Sequence, residues 1–411
     1  MEFLEWFILV CCLIQSLETG SFLTLDVTNK DLQREWGFDI GQMVSVGTVG
    51  YSLGFAGVGI YGLYINKISP KISIIIGGTM TSLCWLGIYL TLCKGCIEWP
   101  YAMLFEAGIG MGTALNYLAS VQIITRSNLN DKRKIKLIFL ALFVAIGSII
   151  AFLIFIELDK VKTTILVMLG FTGFSTIFVG IASWVVKPEI IVDLPTLGHP
   201  IQKSLSMPFL MYLFSLNLTF GIIMTFINSS NSILDSFEQK WDTYDNRTQL
   251  PLICFVIGNF VGRFAGIFLR NYLDYILHLF TLFSLIMSIL SSVLLVYWNI
   301  ETVFVLLGVS AIFFGIIWAI SMPLAREFFG IREDRSLGLI FFGMSAGPLL
   351  FGLIASYLYS YRQRYMTGVC DYSCFWTYLC LSTMAGYLSI CGYCASWYLR
   401  KNEKLTTPDN L

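Results

Sequence analysis

The sequence predicts an all-α integral membrane protein, with twelve transmembrane helices arranged as two six-helix halves and both termini in the cytoplasm. Three observations predict it. First, 56% of the 411 residues are hydrophobic and only 13% are charged, against about a quarter charged in an average soluble protein. Second, apolar runs of about 18 residues or more recur from one end to the other, each long enough to cross about 30 Å of hydrocarbon as a helix. Third, a charged segment at 187–205 divides these runs six and six, and the Lys and Arg residues fall unevenly on the two sides.

Spans are expected at 3–25, 37–64, 72–93, 99–123, 136–157, 162–187, 206–230, 249–270, 276–297, 301–326, 336–360 and 374–399. Helices are the choice for runs this long, because backbone amides in lipid must pair within the segment. The first twenty residues hold Glu2 and Glu5 but no Lys or Arg, so the positive n-region of a cleaved signal peptide is missing and the span is retained. In the second span Gly47, Gly50, Gly54 and Gly57 stay within an arc of about 80° at 100° per residue. Such a stripe lets a neighbouring helix approach closely and slide. Gly57, Gly59 and Gly62 also fit G-x-G-x-x-G, but a dinucleotide turn needs a strand before it and an acid about 20 residues on. Here the glycines lie inside a span. The fourth span carries Glu106 in LFEAGIGMG and the eighth carries Arg263 in IGNFVGRFAGIFL. The fifth and eleventh each follow a basic loop, and the twelfth ends before Arg400.

With the N-terminus inside, sixteen of the 26 Lys and Arg residues fall on the cytoplasmic side and nine outside, as the positive-inside rule requires. The sequons Asn228-Ser-Ser and Asn246-Arg-Thr then fall on the external side, where glycosylation occurs. The halves are expected at 1–187 and 206–399, with a cytoplasmic linker at 188–205 that holds three of the ten prolines and a cytoplasmic tail at 400–411. An internal repeat supports them. Gly62-Leu-Tyr-Ile-Asn66-Lys67 aligns with Gly266-Ile-Phe-Leu-Arg270-Asn271, and Leu137-Ile-Phe with Leu339-Ile-Phe, at offsets of 204 and 202. Related halves around a central site are a transporter architecture.

Most of the eleven cysteines sit in spans as small apolar fillers. Cys370 and Cys374 flank Asp371-Tyr-Ser in the last external loop, where an oxidising compartment could join them, as it could Cys93 with Cys96. Only two histidines occur, and no Cys/His spacing fits a metal, so no metal, cofactor or enzymatic centre is expected. The zero net charge indicates no nucleic-acid partner.

These features resemble the major facilitator superfamily. Its loop after the second span commonly reads G-x-x-x-D-R-x-G-R-K; here Gly62, Lys67 and Lys71 are kept and Asn66 replaces the aspartate. Within the superfamily the chain is similar to the nodulin-like branch, with the monocarboxylate-porter branch second. Gly315 to Gly330, Ala346 to Ser360, the cysteine pair before Phe375 and Leu115 to Val121 carry that resemblance. It implies alternating access by a monomer, a cavity lined by the first, fourth, seventh and tenth helices, and gating by the loops around Gly62, Asn66 and Lys67 and around Gly266 and Arg270. In the porter branch an arginine of the eighth helix anchors the substrate carboxylate; Arg263 matches it by position and by the glycine three residues on.

Residue chemistry points the same way. Glu18 and Glu106 sit in spans, where an ionisable group costs about 2.5–3.5 kcal/mol or more and usually faces a cavity or a partner. Either carboxyl could exchange a proton as the cavity opens alternately, or simply brace a neighbouring helix. Arg263 offers a planar fork for a carboxylate; its alternative is to snorkel to the cytoplasmic surface. Asn116, Asn217 and Asn259 offer neutral hydrogen bonds, and Trp318 with Phe314, one turn apart, could stack on a solute. Glu327 and Arg335, with their charged neighbours in one cytoplasmic loop, could latch the halves. The expectation is a secondary transporter of a small polar solute, an organic anion or amino acid, linked to protons. A receptor that kept the fold without moving a solute stands beside it.

Overall fold

The computed structural model describes residues 2–21, 32–63, 68–95, 97–126, 133–158, 161–185, 206–238, 250–329, 333–365 and 372–406. They are almost entirely helical: α1 Glu2–Ser21, α2 Ile40–Leu63, α3 Pro70–Lys94, α4 Trp99–Arg126, α5 Arg133–Leu158, α6 Val161–Val185, α7 Met207–Glu238, α8 Leu250–Leu269, α9 Leu273–Val296, α10 Ile300–Pro323, α11 Glu333–Gly343, α12 Ala346–Tyr365 and α13 Tyr372–Thr406. Among the described residues, nine stretches are long and apolar enough to cross a membrane, and one of them, Ile253–Val296, contains both α8 and α9. Trp6–Gly20 and Phe139–Phe155 are shorter apolar helices.

Local chemistry sets the boundaries. Asp39 and Gln42 form a reciprocal cap on α2: Gln42 N donates to Asp39 Oδ1 at 2.6 Å and Asp39 N to Gln42 Oε1 at 3.0 Å, satisfying two orphan amides. This cap starts α2 at Ile40 rather than 37. Gly95, at φ 73°, ends α3 and returns its amide to Thr91 O, a left-handed cap that glycine adopts without a Cβ penalty. Asn299 accepts from Glu301 N at 2.9 Å to start α10. At the other end of α10, Pro323 is followed by a π turn, Leu324–Phe328, whose Phe328 carbonyl accepts from Arg400 Nε at 2.8 Å.

Three expected boundaries change. α7 runs on to Glu238, eight residues past the expected end, because its polar stretch stays inside: Ser230 donates to Ile227 O, and Tyr359 OH lies 3.3 Å from Ser229 Oγ. Asn228 is therefore buried within a helix, not an external glycosylation acceptor. The single eleventh span is two helices, broken at Met344 and Ser345, whose amides turn back to Ile340, Phe341 and Phe342 carbonyls. Glu333–Gly343 is helical, so Arg335 lies in the first turn of α11 and not in a loop; Glu327 lies in the π turn. The last helix continues through Thr406, past the expected end at 399.

The packing repeats. α1 packs on α4, α5 and α6, α2 on α4, and α3 on α4 and α6. In the same pattern α7 packs on α10, α12 and α13, α8 on α10, and α9 on α10 and α13. The first six helices meet the rest where α2 runs against α11 and α12 and where α5 meets α8. Outward residues such as Ile75, Leu83, Phe174 and Ile177 put α3 and α6 on the periphery, whereas the described side chains of α4 are mostly buried.

Glycines set these approaches. A Cβ on Gly50, Gly54 or Gly57 would strike Glu106, Gly110 or Met111 of α4, and one on Gly258, Gly262 or Gly266 would strike α10. The glycine stripe of α2 is thus a packing face on α4. Gly54 and Gly258 are 204 residues apart, the spacing of Gly62 and Gly266. Gly59 and Gly62 face Phe342 and Gly338 of α11 instead.

Candidate functional site

Gly262 has no side chain to hold α8 away from α10. It lies on the Ile312 carbonyl and Gly315, which places the next residue, Arg263, over Trp318 of α10. The guanidinium carbon is 5.3 Å from the Trp318 ring centroid, within the range of a cation–π contact. Arg263 Nε donates to Asn259 Oδ1 at 3.0 Å, one turn back on α8, and Nη1 donates to the Ala141 carbonyl of α5 at 2.7 Å. At 2% exposure Arg263 does not snorkel. It points into the seam between α5 and α8.

Three buried donors on these residues, Arg263 Nη2, Asn259 Nδ2 and Trp318 Nε1, have no hydrogen-bond acceptor among the described residues. A buried donor left unmade costs about 1–3 kcal/mol, more when charged. Rings enclose the group. Trp318 meets Phe341 at 5.3 Å and Tyr117, Phe55 and Phe314 at 6.1 Å, and Phe220 closes the cluster on Phe314 at 5.4 Å and Phe55 at 5.5 Å. These residues come from α2, α4, α7, α10 and α11.

Of the residues singled out in the sequence, Arg263, Asn259 and Trp318 come together with Phe314. Glu18 and Asn116 form a second, separate group. Gln15 Nε2 donates to Glu18 Oε2 at 2.7 Å, Thr172 Oγ1 of α6 is 3.5 Å from Oε1, and Asn116 lies alongside, so this acid is enclosed by α1, α4 and α6. Glu106 is buried against Gly50 of α2. Asn217 is engaged structurally, since its Oδ1 accepts from Gly347 N, an amide in the first turn of α12 left without a helical partner by the break before it.

Gly62 lies in the last turn of α2 and Gly266 within α8, and Arg270 is in a 3₁₀ turn between α8 and α9. Cys374, in the first turn of α13, is disulfide-bonded. Asn66, Lys67, Cys96 and Cys370 lie outside the described residues, as do the side chains of Glu327 and Arg335. Sequence reasoning missed Tyr117, Phe55, Phe220 and Phe341. Tyr117 had a signal, as the neighbour of Asn116 in the Leu115 to Val121 stretch.

At the end where α2 begins, α2 is tied to α12. Ser360 Oγ donates to Asp39 Oδ1 at 3.0 Å and Ser356 Oγ to the Gly41 carbonyl at 2.6 Å. Toward its other end, Gly62 lies on Gly338.

No family model and no curated protein matches the sequence. Among solved structures, the chain is similar to a point mutant of the nucleoside transporter NupG, at 15% identity and a TM-score of 0.64, over 96% of this chain and 99% of that one. It is also similar to NupG without that substitution, at 14% and 0.63 over 95% and 99%. A bacterial homologue of the human lysosomal transporter Spinster, in an inward-facing and occupied conformation, matches at 15% and 0.60 over 97% of each chain. The chain shares the fold of these structures over nearly its whole length.

Proposed function

We propose that the chain is a secondary active transporter that moves a small organic anion by alternating access, with Arg263 as the anchor for the solute's carboxylate. The observation that carries this reading is the buried guanidinium at the α5/α8 seam, with one nitrogen left over for an acceptor. A fixed, planar fork suits a carboxylate. The three unpaired groups at this point are all donors, which favours a carboxylate over the ammonium of an amino acid.

In this reading twelve spans form two halves, 1–187 and 206–399, joined by the linker at 188–205, with both termini cytoplasmic and the monomer as the working unit. The recurrence of the same helix pairings in the two sets supports the division. Glu106 is the coupling acid. It packs on Gly50 of α2, the helix that also runs against α11 and α12, so a change in its charge acts on a helix that must move when the halves part. Glu18, held by Gln15 and Thr172, braces the first bundle or serves as a relay.

The test is uptake of a carboxylate into proteoliposomes with and without a pH gradient. Wild-type uptake is expected to follow the gradient, and Glu106→Gln to transport independently of it. Gradient-driven uptake that survives the substitution removes Glu106 from the coupling role. Saturable binding without any flux replaces transport with a receptor.

A further inference from the structure

Around Arg263 the two sets of helices meet through rings. Tyr117 and Phe55 come from α4 and α2, and Phe220, Phe314, Trp318 and Phe341 from α7, α10 and α11. All but Trp318 are buried, and Trp318 is half-buried. Three of the contacts are edge-to-face, at 71° for Trp318 with Phe341, 80° for Trp318 with Tyr117 and 66° for Phe55 with Phe220, and the others are tilted or stacked. Edge-to-face pairs leave ring faces and edges of opposite polarity in register for another ring. Because the rings are drawn from both sides of the seam, parting the halves separates them and wets their faces, which is unfavourable unless something apolar takes the vacated place. A small aliphatic acid would satisfy the donors and leave the rings bare.

We infer that the solute is an aromatic or similarly planar carboxylate, its ring held among Trp318, Phe341, Phe55 and Tyr117 and its carboxylate on the unpaired nitrogens of Arg263, Asn259 and Trp318. The inference rests on the anchor role of Arg263 proposed above and adds the chemistry at the other end of the ligand. Trp318 belongs to both ends: its ring underlies the guanidinium while its Nε1 has no acceptor among the described residues. It is the residue that sets the distance between charge and ring.

The experiment uses the purified full chain in detergent, with binding read from thermal stabilisation and tryptophan fluorescence. Four probes are compared: 3-phenylpropionate, 3-cyclohexylpropionate, butyrate and 3-phenylpropionamide. The phenyl acid is expected to bind at least about tenfold more tightly than butyrate, with the cyclohexyl acid between them. The amide should be weaker than its acid. In Trp318→Leu the ratio of phenylpropionate to butyrate affinity should fall toward one, and Phe341→Leu provides the same reading if the first variant does not fold. Equal affinities for the phenyl acid and butyrate overturn the aromatic assignment while leaving the anion reading intact. An amide that binds as well as its acid, or the absence of binding by every probe, overturns the anion reading and the inference with it.

Discussion

A guanidinium at hydrocarbon depth needs oxygen partners, and Arg263 takes one from its own helix and one from across the seam. Lysine keeps the charge and three donors, but all on one nitrogen, and loses the planar fork from which Nε meets Asn259 Oδ1 and Nη1 meets the Ala141 carbonyl while Nη2 is held at a fixed angle. Arg263→Lys is therefore expected to weaken carboxylate transport at least about tenfold, since a charged hydrogen bond is worth about 1.5–3 kcal/mol; the KM for uptake measures it. Arg263 was legible in the sequence because it is the one basic residue well inside a span, and Asn259 and Trp318 were legible by their depth and helical register. The remaining rings were not. With 33 Phe and 20 Tyr in the chain, nothing local separates a ring that faces the seam from one that faces lipid. Asn217 shows the converse error, where a polar side chain at a suitable depth has a structural partner, the amide of Gly347, that only the fold reveals.

At the scale of the element, the break between α11 and α12 is the feature with a measurable cost. Asn217 substitutes for the helical acceptor that the break removes. Asn217→Ala is expected to destabilise the protein by about 0.5–2 kcal/mol, the range for loss of an N-terminal cap, seen as a lower melting temperature in detergent. Helix existence was legible throughout, because runs of apolar residues this long have few other structures in lipid. Helix ends were less so. The residues after Ser230 read as a loop, yet α7 passes through them to Glu238, with Ser230 donating to the Ile227 carbonyl and Ser229 accepting from Tyr359 OH of α12. The break at Met344 and Ser345 was hidden because an Ala-Gly-Pro sequence inside an apolar run marks either a kink or a start, and hydropathy does not tell them apart.

For the whole molecule, α2 is the element that both sides share. It packs on α4 through its glycines, and it is tied to α12 by Ser356 and Ser360. The double substitution S356A/S360A removes two hydrogen bonds worth about 0.5–1.5 kcal/mol each, so the balance is expected to shift by about fivefold or more toward a state open at that end. Distances between spin labels placed on α2 and α12 would report it, and an unchanged distribution would show that the bonds do not hold the seam. Matches at offsets of 204 and 202 are what the sequence offers for a two-part architecture, and similar structures at 14–15% identity show how little sequence such a fold conserves. What the sequence could not carry was the seam itself, because contacts such as Arg263 with Ala141 use a backbone carbonyl that any residue supplies. In the proposed transport cycle, that bond bears on the return half. With no solute aboard, the Arg263 charge remains answered by Asn259 and the Ala141 carbonyl, so the unloaded protein can pass through its closed form without stranding a bare cation in oil. The expected behaviour is net accumulation into vesicles that contain no solute, rather than strict one-for-one exchange, and counterflow measurements distinguish the two.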